Sequence, residues 1–328
     1  MRTSSEAPGA PSPEQLFALY RTMLCIRLFE ERIVELYPEQ EMRCPVHLCI
    51  GQEATAAGVC AHLTDADLIF GTHRSHGHCI AKGMSLGALA AELYGRVTGC
   101  AGGFGGSMHL VDPAHGMPGT TAIVGGTLPL AVGAALAFAL RREERVAVAF
   151  FGDGAVDEGV FHEALNFASL KRLPVVFACE NNFYATNSFQ GARQPAVAIA
   201  DRAAGYAMPG VAADGNDAAA VYRAAGDAVH RARRGGGPTL LELRTYRWKG
   251  HVGPTCDVEA GCRPAGEVAA WLERCPVAAL RARLAGEPGG EARLEPLAAE
   301  LRAEVEEAFR FAQASPLPTP DRLFAPLA

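Results

Sequence analysis

The stretch from residue 145 to residue 184, RVAVAFFGDGAVDEGVFHEALNFASLKRLPVVFACENNFY, predicts a strand, a helix and a second strand. An apolar run over residues 146–151 ends at Gly152-Asp153-Gly154, and a second over 175–179 ends at Glu180-Asn181-Asn182. Between them, apolar residues recur at helical spacing over 158–171. Such a crossover makes the two strands parallel. The stretch therefore predicts an α/β fold with a mostly parallel sheet flanked by helices.

Two oxygen-bearing side chains follow the carboxyl ends of these strands, where open parallel sheets bind ligands. Asp153 offers a carboxylate and Asn182 an amide oxygen, and both suit Mg²⁺. Gly152 and Gly154 let the backbone approach a bulky anion, and the helix start near Glu158 supplies free N–H groups. We therefore predict a metal-bound phosphate ester. The alternative is an ordinary turn at a strand end, which Gly-Asp-Gly alone would favour.

The composition indicates a folded protein and gives no sign of nucleic-acid binding. Of the 328 residues, 49% are hydrophobic, which is enough for the core of one large domain or two small ones. The net charge of −6 arises from mixed signs. The ten cysteines form no Cys-x-x-Cys pair and several lie in apolar runs, which predicts reduced thiols in a cytoplasmic protein. The first residues carry no basic-then-apolar signal.

One uncharged segment is long enough to raise the question of a membrane span. Residues 123–140 are 18 consecutive residues without a charge, at the lower edge of a spanning helix. Gly125, Gly126 and Pro129 interrupt its first third, and Arg141-Arg142 follow it directly. We predict instead a fully buried helix over residues 128–142.

The two ends of the chain differ from its middle. Residues 1–11 are small, polar and rich in proline, which predicts a disordered tail. Ser12, Pro13 and Gln15 then give a capping-box pattern before a long amphipathic helix that ends by Pro38. We predict an α/β domain over residues 12–264 and a helical C-terminal appendage over 265–328, with helices at about 265–285 and 291–314.

A histidine-rich segment, Thr72-His73-Arg74-Ser75-His76-Gly77-His78, follows another predicted strand at residues 67–71. Three histidines could suggest zinc, but zinc sites usually need further ligands and no second cluster is evident. An anion site is better supported, because Arg74 can bind a diphosphate through two parallel N–H groups. His47 stands alone near a short apolar run, and a lone histidine is more often structural than catalytic.

Together these motifs resemble the α subunits of the thiamine-diphosphate-dependent 2-oxo acid dehydrogenases and of acetoin dehydrogenase. The fingerprint is Gly-Asp-Gly followed one crossover later by Asn-Asn. The matching segments, spread over roughly residues 15–263, are VHLCIGQEA (46–54), THRSHGHCIAKG (72–83), GGFGGSMH (102–109), AIVGG (122–126), GDGAVDEGVFHEALN (152–166), ENNFYA (180–185) and TYRWKGH (245–251). The resemblance is specific for the cofactor and much weaker for the substrate.

The resemblance implies thiamine diphosphate and Mg²⁺ as cofactors, and it implies a role for individual residues. The metal ligands would be Asp153, Asn182 and the backbone carbonyl of Tyr184. The catalytic residues would be His47, His76 and His251. The residues around the cofactor would be His73, Arg74, Ala122, Val124, Gly152, Asp153, Gly154, Ala155, Asn182, Tyr184, Arg247 and His251. The glycine-rich segment 99–109 reads from its composition as a mobile loop, whereas the resemblance implies an interface loop that orders near the cofactor.

The resemblance also implies partners and a reaction. In this enzyme class the activating glutamate belongs to a pyrimidine-binding domain, and the chain shows only one α/β crossover system. A separate β subunit is therefore expected, in an α₂β₂ assembly with the cofactor at the α/β interface. The implied oxidoreductase cleaves a 2-oxo acid or acetoin and passes the acyl group to a lipoyl acyltransferase. Two alternatives stay open: a non-oxidative lyase or acyloin synthase, and a catalytically silent scaffold subunit.

Three departures from the family pattern bear on substrate and regulation. Residues 155–158, Ala-Val-Asp-Glu, replace a more usual Ala-x-Asn-Gln and add two negative charges beside the metal loop. Val252 follows His251 where members regulated by phosphorylation carry serine, so that regulation is not expected at this position. Cys262-Arg263 stands where Tyr-Arg is frequent. These departures leave the substrate undecided.

Overall fold

The structure is a computed structural model that describes residues 9–195 and 198–324. Most of the predicted disordered tail, residues 1–8, lies outside this range. The strands are β1 (Leu68–Gly71), β2 (Gly119–Thr120), β3 (Ala147–Gly152), β4 (Val175–Asn181), β5 (Tyr184–Ala185), β6 (Ser188–Phe189), β7 (Gly210–Asp214) and β8 (Thr239–Arg244). The helices are α1 (Pro13–Leu36), α2 (Glu53–Cys60), α3 (His76–Lys82), α4 (Leu86–Leu93), α5 (Thr127–Arg141), α6 (Gly159–Leu170), α7 (Gln190–Arg193), α8 (Ala218–Arg233), α9 (Ala265–Leu272), α10 (Pro276–Ala285) and α11 (Gly290–Ala314).

Six of the strands form one sheet in the order β2-β1-β3-β4-β8-β7, and every pair in it is parallel. This confirms the predicted fold class. The predicted neighbours β3 and β4 pair in a register that sets Gly152 beside Glu180. The loops after β3 and β4 therefore leave the same edge of the sheet, side by side. Strand β2 was not predicted, because two residues carry no alternating pattern.

The central strands β3, β4 and β8 are buried on both faces, as their continuous apolar sequences require, whereas the edge strand β7 is mostly exposed. On one face, Ala147, Ala149 and Phe151 pack in a cluster with residues of α5 and α6. On the other face, Val148 and Phe150 pack with residues of α1, α2, α4, α8 and α11. Alternate side chains of β3 thus belong to two cores, one on each side of the sheet.

Helix α1 begins as its sequence predicts. The Ser12 hydroxyl accepts from the Gln15 backbone N–H at 3.3 Å, and the Gln15 side chain accepts from the Ser12 N–H at 2.8 Å. The helix buries thirteen of its 24 residues and packs against α2, α3, α10 and α11. Packing within its own chain therefore accounts for its amphipathic pattern.

Two sequence expectations about helices were wrong. Helix α5 is not fully buried, because Leu130 and Leu140 are 58% and 76% exposed on its outer face. The predicted helix over 265–285 is two helices, α9 and α10, since Pro276 lacks the N–H of a continuing helix and starts a new one. None of the described helices is both long enough and apolar enough to cross a membrane.

The three C-terminal helices share cores with the rest of the chain. Helix α11 packs against α1 and α4, and α10 packs against α1. Val305 and Phe309 of α11 belong to the same apolar cluster as Phe150 in the central sheet. The division of the chain at residue 264 stays a prediction.

Candidate active site

A cavity of about 420 Å³ lies at the carboxyl ends of β1, β3 and β4. Most of the residues predicted for the site line it, from six separate segments of the chain. They are His47, His73, Arg74, Ala122, Val124, Gly152, Asp153, Gly154, Ala155, Asn182, Tyr184 and His251. The parallel sheet explains the convergence, because it brings the loops after neighbouring strands to one edge.

The acidic wall of the cavity is formed by Asp153, Glu158, Glu180 and the neighbouring Asp157. The Asp153 carboxyl is 1% exposed, and its buried position raises its pKa, although the adjacent Arg193 guanidinium opposes that shift. Glu180 has defined partners: its Oε2 lies 3.0 Å from His78 Nε2, and its Oε1 accepts from the Thr55 hydroxyl. Each of these two buried carboxylates therefore has a partner within the protein, Arg193 for Asp153 and both His78 and Thr55 for Glu180.

Asn182 is oriented by its neighbours. Its Nδ2 donates to Gln52 Oε1 at 3.3 Å, and its Oδ1 accepts from the Tyr184 N–H at 3.3 Å. Gln52 is 1% exposed and lines the cavity, but its Nε2 donor has no partner among the described residues. A buried amide donor without a partner is costly, so this atom indicates a ligand in the cavity.

The basic wall is formed by Arg74 with His47, His73 and His251. The three imidazole rings lie 4.6 to 5.2 Å apart, centroid to centroid. Arg74 donates to the backbone carbonyl of Leu48 at 2.7 Å and to that of His251 at 3.3 Å. Its side chain is therefore held in place beside the rings.

Burial and the Arg74 charge together keep the three histidines neutral. They lower the pKa of His47 to about 3, that of His73 to about 2 and that of His251 to about 4. One ligand atom from each ring lies within 4.8 Å of the others, a spacing that could suggest a metal. The Arg74 charge, which adds to the effect of burial on these pKa values, also opposes a metal cation, so this wall fits an anion better.

Two predicted residues do not line the cavity. His76 is fully buried, with Nδ1 at 3.0 Å from Glu30 Oε1 and Nε2 at 2.8 Å from Ser107 Oγ. Arg247 is also buried and donates to Asp257 and to the backbone carbonyls of Lys249 and Thr186. Glu30, Ser107 and Thr186 are distant in sequence from the residues that they contact, and local motifs do not reveal these contacts. Their catalytic and cofactor-binding roles stay predictions.

Glu92 had no signal in the sequence, yet it organises the glycine-rich loop. Its carboxylate is fully buried and accepts from four backbone N–H groups of that loop at 2.7 to 3.1 Å, those of Ala101, Gly103, Gly105 and Gly106. Four such bonds fix the loop. The loop leads through Ser107 to Met108, which lines the cavity. The mobile loop that composition predicts therefore has a defined anchor.

Comparison with known proteins matches residues 20–321 to the family model described as dehydrogenase E1 component. The chain belongs to the dehydrogenase E1 component family. Within that family it is an α subunit of a thiamine-diphosphate-dependent dehydrogenase.

Three relatives show the range of the family. The chain is 50% identical over 238 residues, covering 73% of the chain and 72% of the relative, to the α subunit of acetoin:2,6-dichlorophenolindophenol oxidoreductase from Bacillus subtilis. It is 41% identical over 98% of its length, and 97% of the relative's, to the same subunit from Cupriavidus necator. It is 41% identical over 93% of its length to pyruvate dehydrogenase E1 component subunit alpha-3 from Arabidopsis thaliana, covering 72% of that protein.

The residues present fit the cofactor of this family. The oxygen donors of Asp153 and Asn182 suit a divalent cation, and the unpaired Gln52 donor faces a group that the protein alone does not supply. Gly152 lines the cavity, and a Cβ atom added there would meet no other atom within 4 Å. The backbone is therefore bare where a bulky diphosphate would approach.

Proposed function

We propose that the chain binds thiamine diphosphate and Mg²⁺ in this cavity and, with a β subunit, cleaves acetoin oxidatively. The observation that carries the proposal is the convergence on one cavity of Asp153, Asn182, Arg74 and the neutral His47 and His251. Acetoin is favoured over a 2-oxo acid by the two acetoin relatives, of which one aligns over nearly the whole of both chains.

Each wall has a distinct task in this proposal. When bound, thiamine diphosphate would supply the nucleophile and the electron sink for C–C cleavage. Asp153, Asn182 and the Tyr184 carbonyl hold Mg²⁺, and Arg74 contributes a positive charge to the diphosphate. The neutral imidazoles of His47 and His251 accept a proton or hold a substrate oxygen. His76 acts indirectly, by fixing Ser107 and with it the loop to Met108.

The β subunit has a candidate docking face beside the cavity. Ile123 and Val124 at the cavity rim are 67% and 43% exposed, and Leu130 and Leu140 extend the exposed apolar strip along α5. Large exposed apolar patches are characteristic of protein interfaces. We assign this face to the β subunit, which would also bring the activating glutamate. A lipoyl acyltransferase is the expected acceptor of the acetyl group.

Calorimetric titration tests the cofactor site. The chain is co-expressed with its β subunit, and thiamine diphosphate is titrated with and without Mg²⁺. We expect metal-dependent binding in the wild type and a loss of at least about 100-fold in Asp153→Ala, since buried charged contacts are worth several kcal/mol. Binding that is independent of the metal, or equal in Asp153→Ala, would refute the assignment.

Reduction of 2,6-dichlorophenolindophenol then tests the substrate. We expect dye reduction with acetoin to exceed that with pyruvate or a branched-chain 2-oxo acid. The converse preference would reject acetoin and retain the 2-oxo acid reaction. Product formation without any electron acceptor would instead establish the non-oxidative lyase.

A further inference from the structure

Helix α7 folds back onto the loop that carries the proposed metal ligand Asp153. The Arg193 guanidinium donates from Nη2 to the Asp153 carboxylate and from Nη1 to the Asp157 carboxylate. The next residue, Gln194, donates from its Nε2 to the Asp153 carbonyl at 3.0 Å and to Asp157 Oδ1 at 2.8 Å. One guanidinium thus bridges two carboxylates of a single short turn.

A chain of amide side chains ties this segment to the sheet. Asn181 at the end of β4 donates to Glu242 Oε1 at 2.9 Å and to Gln190 Oε1 at 3.1 Å. Gln190 in turn donates to Gln194 Oε1 at 2.9 Å. The backbone of α7 is therefore fixed from behind, and the flexible part of the contact is the long Arg193 side chain.

We propose that Arg193 is a displaceable counter-ion: it neutralises Asp153 while no divalent cation is bound, and Asp157 alone retains it once the metal arrives. The inference rests on the metal site of the proposed function. A carboxylate that is 1% exposed needs a partner of opposite charge, and Arg193 provides one. A divalent cation bound to the Asp153 carboxylate would strongly repel a guanidinium in hydrogen-bonding contact with that carboxylate.

Asp157 makes the exchange of Arg193 for the metal possible, because it still pairs with Arg193 after the contact between Arg193 and Asp153 has broken. Its side chain is 33% exposed, so pairing there needs less desolvation than pairing at Asp153. The metal and Arg193 then compete for Asp153. The observed dissociation constant for the metal is the intrinsic one divided by the fraction of molecules in which Arg193 does not contact Asp153.

The segment that precedes α7 is also held in place. The segment between β4 and α7 contains Tyr184 and Thr186, which line the cavity. The Thr186 carbonyl accepts from Arg247 Nη2 at 2.7 Å. This contact holds the segment on the far side of the cavity, so the exchange needs only the Arg193 side chain to move.

The test is calorimetric titration of Mg²⁺ into the α–β complex at saturating thiamine diphosphate. We expect Arg193→Gln to bind Mg²⁺ about tenfold more tightly, equivalent to roughly 1.4 kcal/mol of lost competition. Asp157→Asn should bind Mg²⁺ about fivefold more weakly, because Arg193 loses its second partner. Arg193→Lys keeps the charge but not the two-pronged geometry, and should shift affinity in the same direction as Arg193→Gln, by less.

Two controls separate a direct contact from a general effect of charge. Glu158→Gln removes a charge from the same cavity wall, and Glu158 has no ion pair within the described part of the chain. The second control is the double variant: when Arg193→Gln is already present, Asp157→Asn should lower the Mg²⁺ affinity only as much as Glu158→Gln does.

An Asp157→Asn effect that is equal in both backgrounds would overturn the proposal. So would an Arg193→Lys protein with wild-type affinity, which also serves if Arg193→Gln does not fold. Failure of the proposed function looks different, because then no variant, and not the wild type, would bind Mg²⁺ with the cofactor.

Discussion

The acidic wall and the basic wall of the cavity differ in the charge that their buried ionisable groups carry. Both bury ionisable groups at one edge of the sheet. On the acidic wall, burial raises the pKa of Asp153, and pairing with Arg193 opposes that rise. On the basic wall, His47, His73 and His251 lie beside Arg74 and give up their protons. Burial therefore leaves an ion pair on one wall and neutral imidazoles on the other.

The difference follows from what each wall binds in the proposed function. A divalent cation needs charged oxygens, so the acidic wall must stay ionised and carry a cation that can leave. A substrate that exchanges protons needs a neutral imidazole, so the basic wall keeps only Arg74 as a fixed charge.

The largest effect on cofactor binding is expected from adding a side chain at Gly152, next to Asp153 on the acidic wall. Gly152→Val places two methyl groups in open space beside Asp153, so thiamine diphosphate binding should weaken by about 100-fold or more, roughly 2.7 kcal/mol. Valine suits the end of a strand, and the melting temperature should change little. Calorimetry and thermal unfolding measure the two quantities.

Gly159→Val is the matched control, because Gly159 also has open space around it but does not line the cavity. Equal losses of binding in the two variants would show that the effect is not local to the cavity.

The next effect is expected from removing the fixed charge of the basic wall. Arg74→Gln should weaken thiamine diphosphate binding about 30-fold, the scale of a charge-assisted hydrogen bond. It should also raise the pKa of His47, His73 and His251, because Arg74 contributes to each lowered value. Calorimetry and NMR titration of the imidazoles measure these changes.

Arg74→Lys separates charge from geometry on the same wall. It should leave the three histidine pKa values low while still weakening cofactor binding, because lysine lacks the forked N–H pair. Histidine pKa values that rise as much in Arg74→Lys as in Arg74→Gln would contradict the electrostatic account.

The smallest effect is a pH dependence of stability. The folded protein holds the pKa of His73 at about 2, well below the 6.5 of an unfolded histidine. The unfolded state therefore binds more protons below pH 6.5, and the free energy of unfolding falls as the pH drops from 6.5 towards 4.

His73→Tyr should reduce this dependence, and its melting temperature between pH 6.5 and 4 should fall by about 3 °C less than that of the wild type. Thermal unfolding across this range measures the difference. A wild-type melting temperature that rises as the pH falls would contradict the sign of the effect.

Local sequence signals were enough to predict where residues lie wherever one supersecondary unit carries them. Asp153 and Asn182 follow strands joined by a single helix, and the handedness of such a crossover leaves little choice about their position. Gly152 and Gly154 were predicted for the same reason. His47 and His251 needed the family resemblance, because no local pattern links them to that unit.

Other roles depend on contacts that no local pattern encodes. Arg193 reaches an aspartate 40 residues earlier, and His76 contacts Glu30 across 46 residues. Glu92 has no motif, although four backbone N–H groups converge on it. The exposed face of α5 was missed because an apolar helix that is wholly buried and one that meets a partner have the same composition.

The sequence by itself determined the parallel sheet, the placement of Asp153 and Asn182 at its carboxyl edge and the family of the protein, because strand periodicity, crossover geometry and motif spacing are local properties. Only the tertiary structure decided which buried charges are paired and which are lost. That outcome depends on the distances between Arg74 and its three histidines and between Arg193 and its two aspartates, and those distances exist only once distant segments have packed together.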